Sequence, residues 1–224
     1  MIRRDYILRM IEEFFEMLSR IQALKKDQRW QEAGGVTDEQ LKKMIGVDAK
    51  TALQLSDTEL LARIIQGEPS LAVREKTLLL STLLKEAGDL AVAQDRDEEG
   101  RACYLKGLHL LLETLGRSEV FECPEFVPKI ETFVAALRDA PLPLPTQAQL
   151  MQHYERNGEF GRAEDALYGM LETDPGHPGI VLFGIAFYER LQSQSDAKLA
   201  EGNLPRPELE AALGELRRRQ QTAA

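Results

Sequence analysis

The 224-residue chain is 43% hydrophobic with a formal charge of −9. That is enough apolar material for one large helical domain or two small ones, and the charge argues against a general nucleic-acid binder, whose affinity would come from Lys and Arg neutralising phosphates. Aromatic content is only 6%, and the chain is rich in the helix formers Leu, Ala, Glu, Arg and Gln, so an all-α fold is expected. No stretch approaches the roughly 18 apolar residues of a membrane span, and Glu12, Glu13 and Glu16 interrupt any signal-peptide core.

Residues 2 to about 33 carry Ile7, Met10, Phe14, Met17, Ile21 and Leu24 alternately three and four apart, a heptad seam. A second seam, Leu8, Ile11, Phe15 and Leu18, lies beside it, which makes the apolar band wider than one packing partner covers. Either the helix occupies a groove between two helices of its own chain, or one seam meets a second copy. The opening MIRRDYILRMIEEF resembles the start of an uncharacterised bacterial family of helical proteins with repeat-like C-terminal halves, a resemblance that extends loosely over the whole chain. Gly34-Gly35 is expected to end the helix. Thr37 with Gln40, and Ser56 with Glu59, have the form of capping boxes opening short helices near Asp38 and Asp57; Gly67 and Pro69 close this region.

Two strongly helical stretches follow, from about Leu71 to Gln94 and from Glu98 to Leu115. They form an expected hairpin with Gly116 as its C-terminal cap. A further helix from about Pro128 to Arg138 leads to the alternating prolines of residues 140–145, a stiff extended connector that divides the chain into regions 1–139 and 146–224.

The stretch from Thr146 to Pro178 reads as a helical hairpin. Thr146 and Gln149 form a capping box placing the first helix near Gln147. Leu150, Met151 and Tyr154 share its apolar face, Asn157-Gly158 makes the turn, and Ala163, Ala166, Leu167, Met170 and Leu171 face inward until Asp174-Pro175 ends the second helix. Tyr154, Gly158, Phe160, Ala163, Leu167 and Pro175 resemble the tetratricopeptide repeat, a helix-turn-helix unit of about 34 residues. The first-helix positions where that repeat usually has tryptophan and glycine are Gln147 and Met151 here. The resemblance implies helical hairpins stacked as a short solenoid, with the long N-terminal helix packed against it, and a protein-binding role. Ile180 to Tyr188 reads as the buried first helix of a next repeat, residues 193–205 as loop, and Pro207 as the first turn of a capping helix through Leu209, Leu213 and Leu216.

No catalytic constellation stands out. Asp95 to Gly100 has the opening spacing of a calcium loop, but its twelfth place is Lys106 where a bidentate glutamate is needed. His109, His153 and His177 form no metal-binding pattern, and Cys103 and Cys123 have neither ligand spacing nor a disulfide framework. Cys103 and His109, six apart on one helix, point to different sides. Neither a catalytic residue, a metal nor a cofactor is expected, and the protein is placed in the cytoplasm, away from membrane and nucleic acid.

The favoured function is a non-catalytic module holding a partner protein's peptide or helix in a concave groove. The repeat pattern puts Ala148, Gln152, Glu155 and Arg156, then Leu182, Ala186, Glu189 and Arg190, along that groove. The alternatives are a structural, self-assembling subunit that dimerises through Ile7, Met10, Phe14, Met17 and Ile21, and an enzyme whose site is built from residues distant in sequence.

Overall fold

Good helix formers and 3.6-residue apolar spacing make every regular element of the described residues an α-helix. The computed structural model describes residues 2–66, 70–116 and 123–223, with side chains within 5–66, 72–116 and 123–221; Gly67 and Pro69 lie outside them. Two compact units result, Met1–Asp139 and Ala140–Ala224.

The first unit contains α1 (Ile2–Lys26), α2 (Trp30–Ile45), α3 (Ala49–Gln54), α4 (Asp57–Ile65), α5 (Ser70–Val92), α6 (Asp97–Gly116) and α7 (Ile130–Ala136). Helices α5 and α6 pack along their lengths, with α1, α2 and α4 laid on α5. Close approach of α5 and α6 needs Gly88, where an added Cβ would lie 2.5 Å from the Tyr104 ring. The core gathers Phe14 and Ile21 from α1, Leu41 from α2, Leu60 and Ile64 from α4, and Leu79, Leu80, Leu83 and Leu84 from α5, each fully buried side chain contributing about 1.5–3 kcal/mol.

A polar network pins the C-terminal half of α1 to α5. Lys25 Nζ donates to Glu86 and Asp89, both at 2.7 Å, Gln22 adds a bond to Glu86 at 3.0 Å, and Lys85 and the Tyr104 hydroxyl donate to Asp89 at 2.8 and 3.0 Å. Burial opposes the charge on Asp89, but the bonds from Lys25 and Lys85 outweigh it and hold the carboxyl below its ordinary range.

The second unit contains α8 (Leu144–Arg156), α9 (Phe160–Thr173), α10 (Pro178–Leu191), α11 (Asp196–Glu201) and α12 (Arg206–Ala223). Helices α8 and α9 pair through the turn at Gly158 (φ 77°), and α10 pairs with α12. Leu150, Met151 and Tyr154 face Ala163, Leu167, Met170 and Leu171 in the core, and α10 buries Ile180, Val181, Ile185, Phe187 and Tyr188.

Local chemistry departs from the sequence reading in four places. The N-terminal helix ends at Lys26 rather than near residue 33, because Gln28 takes a left-handed conformation (φ 57°) while Arg29 N–H bonds Leu24 O and Gln28 N–H bonds Lys25 O, the double closure of a Schellman motif. Gly34-Gly35 lies inside α2, held helical by the burial of Ala33, Val36 and Thr37 around it. The Thr37 hydroxyl therefore donates back to Ala33 O at 2.9 Å instead of capping. Thr146 is likewise buried inside a first turn that starts at Leu144 with Pro145 near its N-terminus, a position proline suits because no intrahelical bond is lost. Residues 193–205 are not all loop: Ser195 caps α11 by accepting from Lys198 N–H, and Asn203 (φ 59°) closes it. The Ser56–Glu59 capping box is complete in both directions.

The dimer seam also needs correction. Phe14 and Ile21 are both 0% exposed, so burial inside the chain makes these two unavailable to a second copy, while Met10 and Met17 are half-buried against the same core. The face left open is the neighbouring seam, with Leu8 49% and Phe15 43% exposed and Tyr6 beside them.

Candidate functional site

Of the eight residues the sequence places on a groove, the structure brings four together. Gln152, Glu155 and Arg156 from the last turns of α8 and Arg190 from the end of α10 line one cleft of about 750 Å³. Ala148 and Ala186 are half-buried, Leu182 is 51% exposed, and none of the three lines it. Glu189 is turned toward α12, where it accepts from Arg217 at 2.8 Å.

The cleft is built on the turns. The floor is apolar, from Phe160, Phe183 and Leu191, and the far wall is Ser193, Gln194 and Lys198. Arg190 Nε and Nη2 donate to the two oxygens of Glu155, each at 2.7 Å, a fork-to-carboxylate pair joining α8 to α10. Hydrogen bonding to Glu155 raises the Arg190 pKa. Arg156 Nε donates to Gln152 O at 3.2 Å. The far wall is held by Arg206, which donates to Gln192 O and Gln194 O at 3.3 and 2.5 Å and pairs with Asp196. Gly161 N–H donates to Gly202 O at 2.8 Å, an approach that glycine alone permits, since a Cβ at residue 202 would sit 2.4 Å from Gly158 O.

Sequence reading missed Lys198, Phe160 and Phe183 as cleft residues. Lys198 lay in a presumed loop, although Ser195 before Asp196 was a legible helix start; the aromatic pair gave only a core signal.

Other depressions among the described residues include two of different charge. One of about 310 Å³ gathers Glu159, Glu164, Asp165, Glu201 and Glu208 around Arg162. Burial raises the Glu164 pKa there, partly offset by the Tyr188 hydroxyl donating at 2.6 Å. The other, about 640 Å³ and in the first unit, mixes Asp38, Glu98 and Glu99 with Lys50 and Arg96. Among the described residues no group of three or more His, Cys, Asp or Glu could hold a metal ion, and no helix is long and apolar enough to cross a membrane. Cys103 is buried and its thiol is pushed up to about 12, away from the thiolate a nucleophile needs. His109 Nδ1 lies 3.1 Å from Asp57.

A family of unknown function, DUF6483, matches residues 1–221. The chain belongs to that family. Membership in DUF6483 thus takes in both compact units, and the family's description assigns no reaction or ligand to the cleft. No curated protein and no solved structure matches the chain.

Proposed function

We propose that this DUF6483 protein is a non-catalytic interaction module, acting in the cytoplasm, whose cleft between α8, α10 and α11 holds an extended peptide of a partner protein. The observation that carries the reading is the cleft itself. An apolar floor of Phe160, Phe183 and Leu191 lies under polar and charged walls, the arrangement in which buried anchors supply affinity and rim groups supply orientation. The likeness of the α8–α9 hairpin to a tetratricopeptide repeat supports the same role. A random-peptide display library panned on the full chain tests it, with Gln152→Trp as the counter-screen because that exposed side chain lines the cleft. Peptides that bind the native chain and lose binding to Gln152→Trp are expected; enrichment unaffected by the substitution sinks the reading.

A second reading, a self-assembling subunit, is favoured by the exposed Leu8 and Phe15 on α1. It predicts a mass by light scattering that rises with concentration and falls to the monomer value on Leu8→Lys with Phe15→Lys.

A further inference from the structure

The charges of the cleft differ from those of the protein around it. Three cations, Arg156, Arg190 and Lys198, face a single carboxylate, Glu155, although acidic residues outnumber basic ones over residues 140–224. Glu155 is already spent on Arg190. That pair uses Nε and Nη2 of the guanidinium and leaves the Nη1 donors of a half-exposed side chain for another acceptor.

Lys198 is the more telling residue. It occupies the third position of α11, and its backbone N–H is bonded by the Ser195 hydroxyl. This is the position at which glutamate completes a capping box by accepting from the cap residue's own N–H. The same chain does so at Ser56 and Glu59. At Lys198 the local preference for an acid is set aside for a cation, and its ammonium makes no hydrogen bond or ion pair among the described residues. In so short a helix the same position belongs to the last turn, where a cation is favoured, but the ammonium itself lines the cleft and is left for a ligand.

We infer that the cleft takes a short acidic segment of a partner protein, its carboxylates reaching Arg190 Nη1 and the Lys198 ammonium while an apolar side chain lies against Phe183. This rests on the peptide-binding reading above and adds the chemistry of the peptide. The overall negative charge sets the length: the Debye length is about 8 Å at physiological salt, so beyond the cleft a long polyanion meets repulsion, and a segment with two or three acids is accepted where nucleic acid is not.

Fluorescence anisotropy on the full chain tests this with three labelled dodecapeptides, one with three Glu set among Leu, Phe, Ser and Gly, one with Gln for every Glu, and one with Lys for every Glu, beside a single-stranded oligothymidine. The expected order of affinity is Glu over Gln over Lys by at least tenfold in all, weakening with added salt. Lys198→Glu should cost the Glu peptide tenfold or more while its melting temperature stays level or rises, which a structural role for Lys198 would not produce. Equal affinity of Lys198→Glu for the Glu peptide, or a preference for the Lys peptide, overturns the acidic assignment; the groove itself then stands provided Gln152→Trp abolishes whatever binds. Oligothymidine binding abolished by Lys198→Glu reassigns the cleft to nucleic acid and also overturns the inference. Failure of all three peptides to bind overturns the peptide reading along with it.

Discussion

Two adjacent phenylalanines of α1 separate what holds the first unit together from what it presents to others. Phe14 is 0% exposed, inside the cluster formed with Ile21, Leu41 and Leu60, and its ring lies 5.9 Å from that of Phe126. Truncation to alanine removes a buried ring and leaves a cavity, a change worth about 3–5 kcal/mol. Phe15 is 43% exposed and meets the same Phe126 edge-on at 5.2 Å. Its loss forgoes one aromatic pair, about 0.5–1.5 kcal/mol, and part of an already wet surface. Phe14→Ala should therefore exceed Phe15→Ala by about 2 kcal/mol or more, which at roughly 2–4 °C per kcal/mol for a chain of this size is a gap of several degrees. Trp30 is the chain's one tryptophan and packs against this core, so its fluorescence in a urea titration reports the first unit alone. Equal destabilisation by the two substitutions, or a larger loss from Phe15, would refute the assignment of the first seam to the core and of the second to the surface.

Gly34→Ala and Gly35→Ala should each raise the urea midpoint, since both sit inside α2 with open space where a Cβ would go and alanine is favoured over glycine in a helix by about 1 kcal/mol. Gly158→Ala should do the opposite in thermal denaturation, by about 1 kcal/mol or more, because φ 77° is strained for any Cβ even with nothing nearby to strike. Asp89 titrates below its ordinary value in the folded unit, so its contribution is complete above the unfolded pKa of about 3.9 and is lost as pH falls through the lower folded value. Stability by Trp30 fluorescence should therefore decline below about pH 4, and Asp89→Asn should lower stability at neutral pH and flatten that decline.

How much of this was legible follows from where the signals lie. The all-α class, the α5–α6 pair and the hairpin at Asn157-Gly158 rest on long periodic runs and a glycine turn, signals carried by side chains that do the work themselves. Helix ends were harder. Gln28, Asp95 and Asn203 take left-handed conformations without being glycine, and their cost is met by paired backbone bonds such as Asp95 N–H to Val92 O and Arg96 N–H to Ala91 O, which no side chain announces. Thr37 and Thr146 showed the reverse, a capping pattern overridden by burial. In the cleft, Gln152, Glu155, Arg156 and Arg190 followed from repeat spacing, but the Arg190–Glu155 pair did not, since it joins residues 35 apart across two helices. That pair means Arg190→Glu would set two carboxylates against each other, so Lys198, free of such a role, is the better residue for reversing charge.

The contact between Gly161 and Gly202 gives the far wall of the cleft its own clock. Gly161 N–H belongs to the first turn of α9, where amides have no intrahelical acceptor and ordinarily exchange with solvent freely. Here exchange requires breaking its bond to Gly202 O, which calls for the α11 end to lift from the turn at Gly158. Hydrogen exchange at that one amide therefore measures how often the wall that carries Lys198 opens, and its slowing by a bound segment would register closure around the ligand at a single, assignable proton.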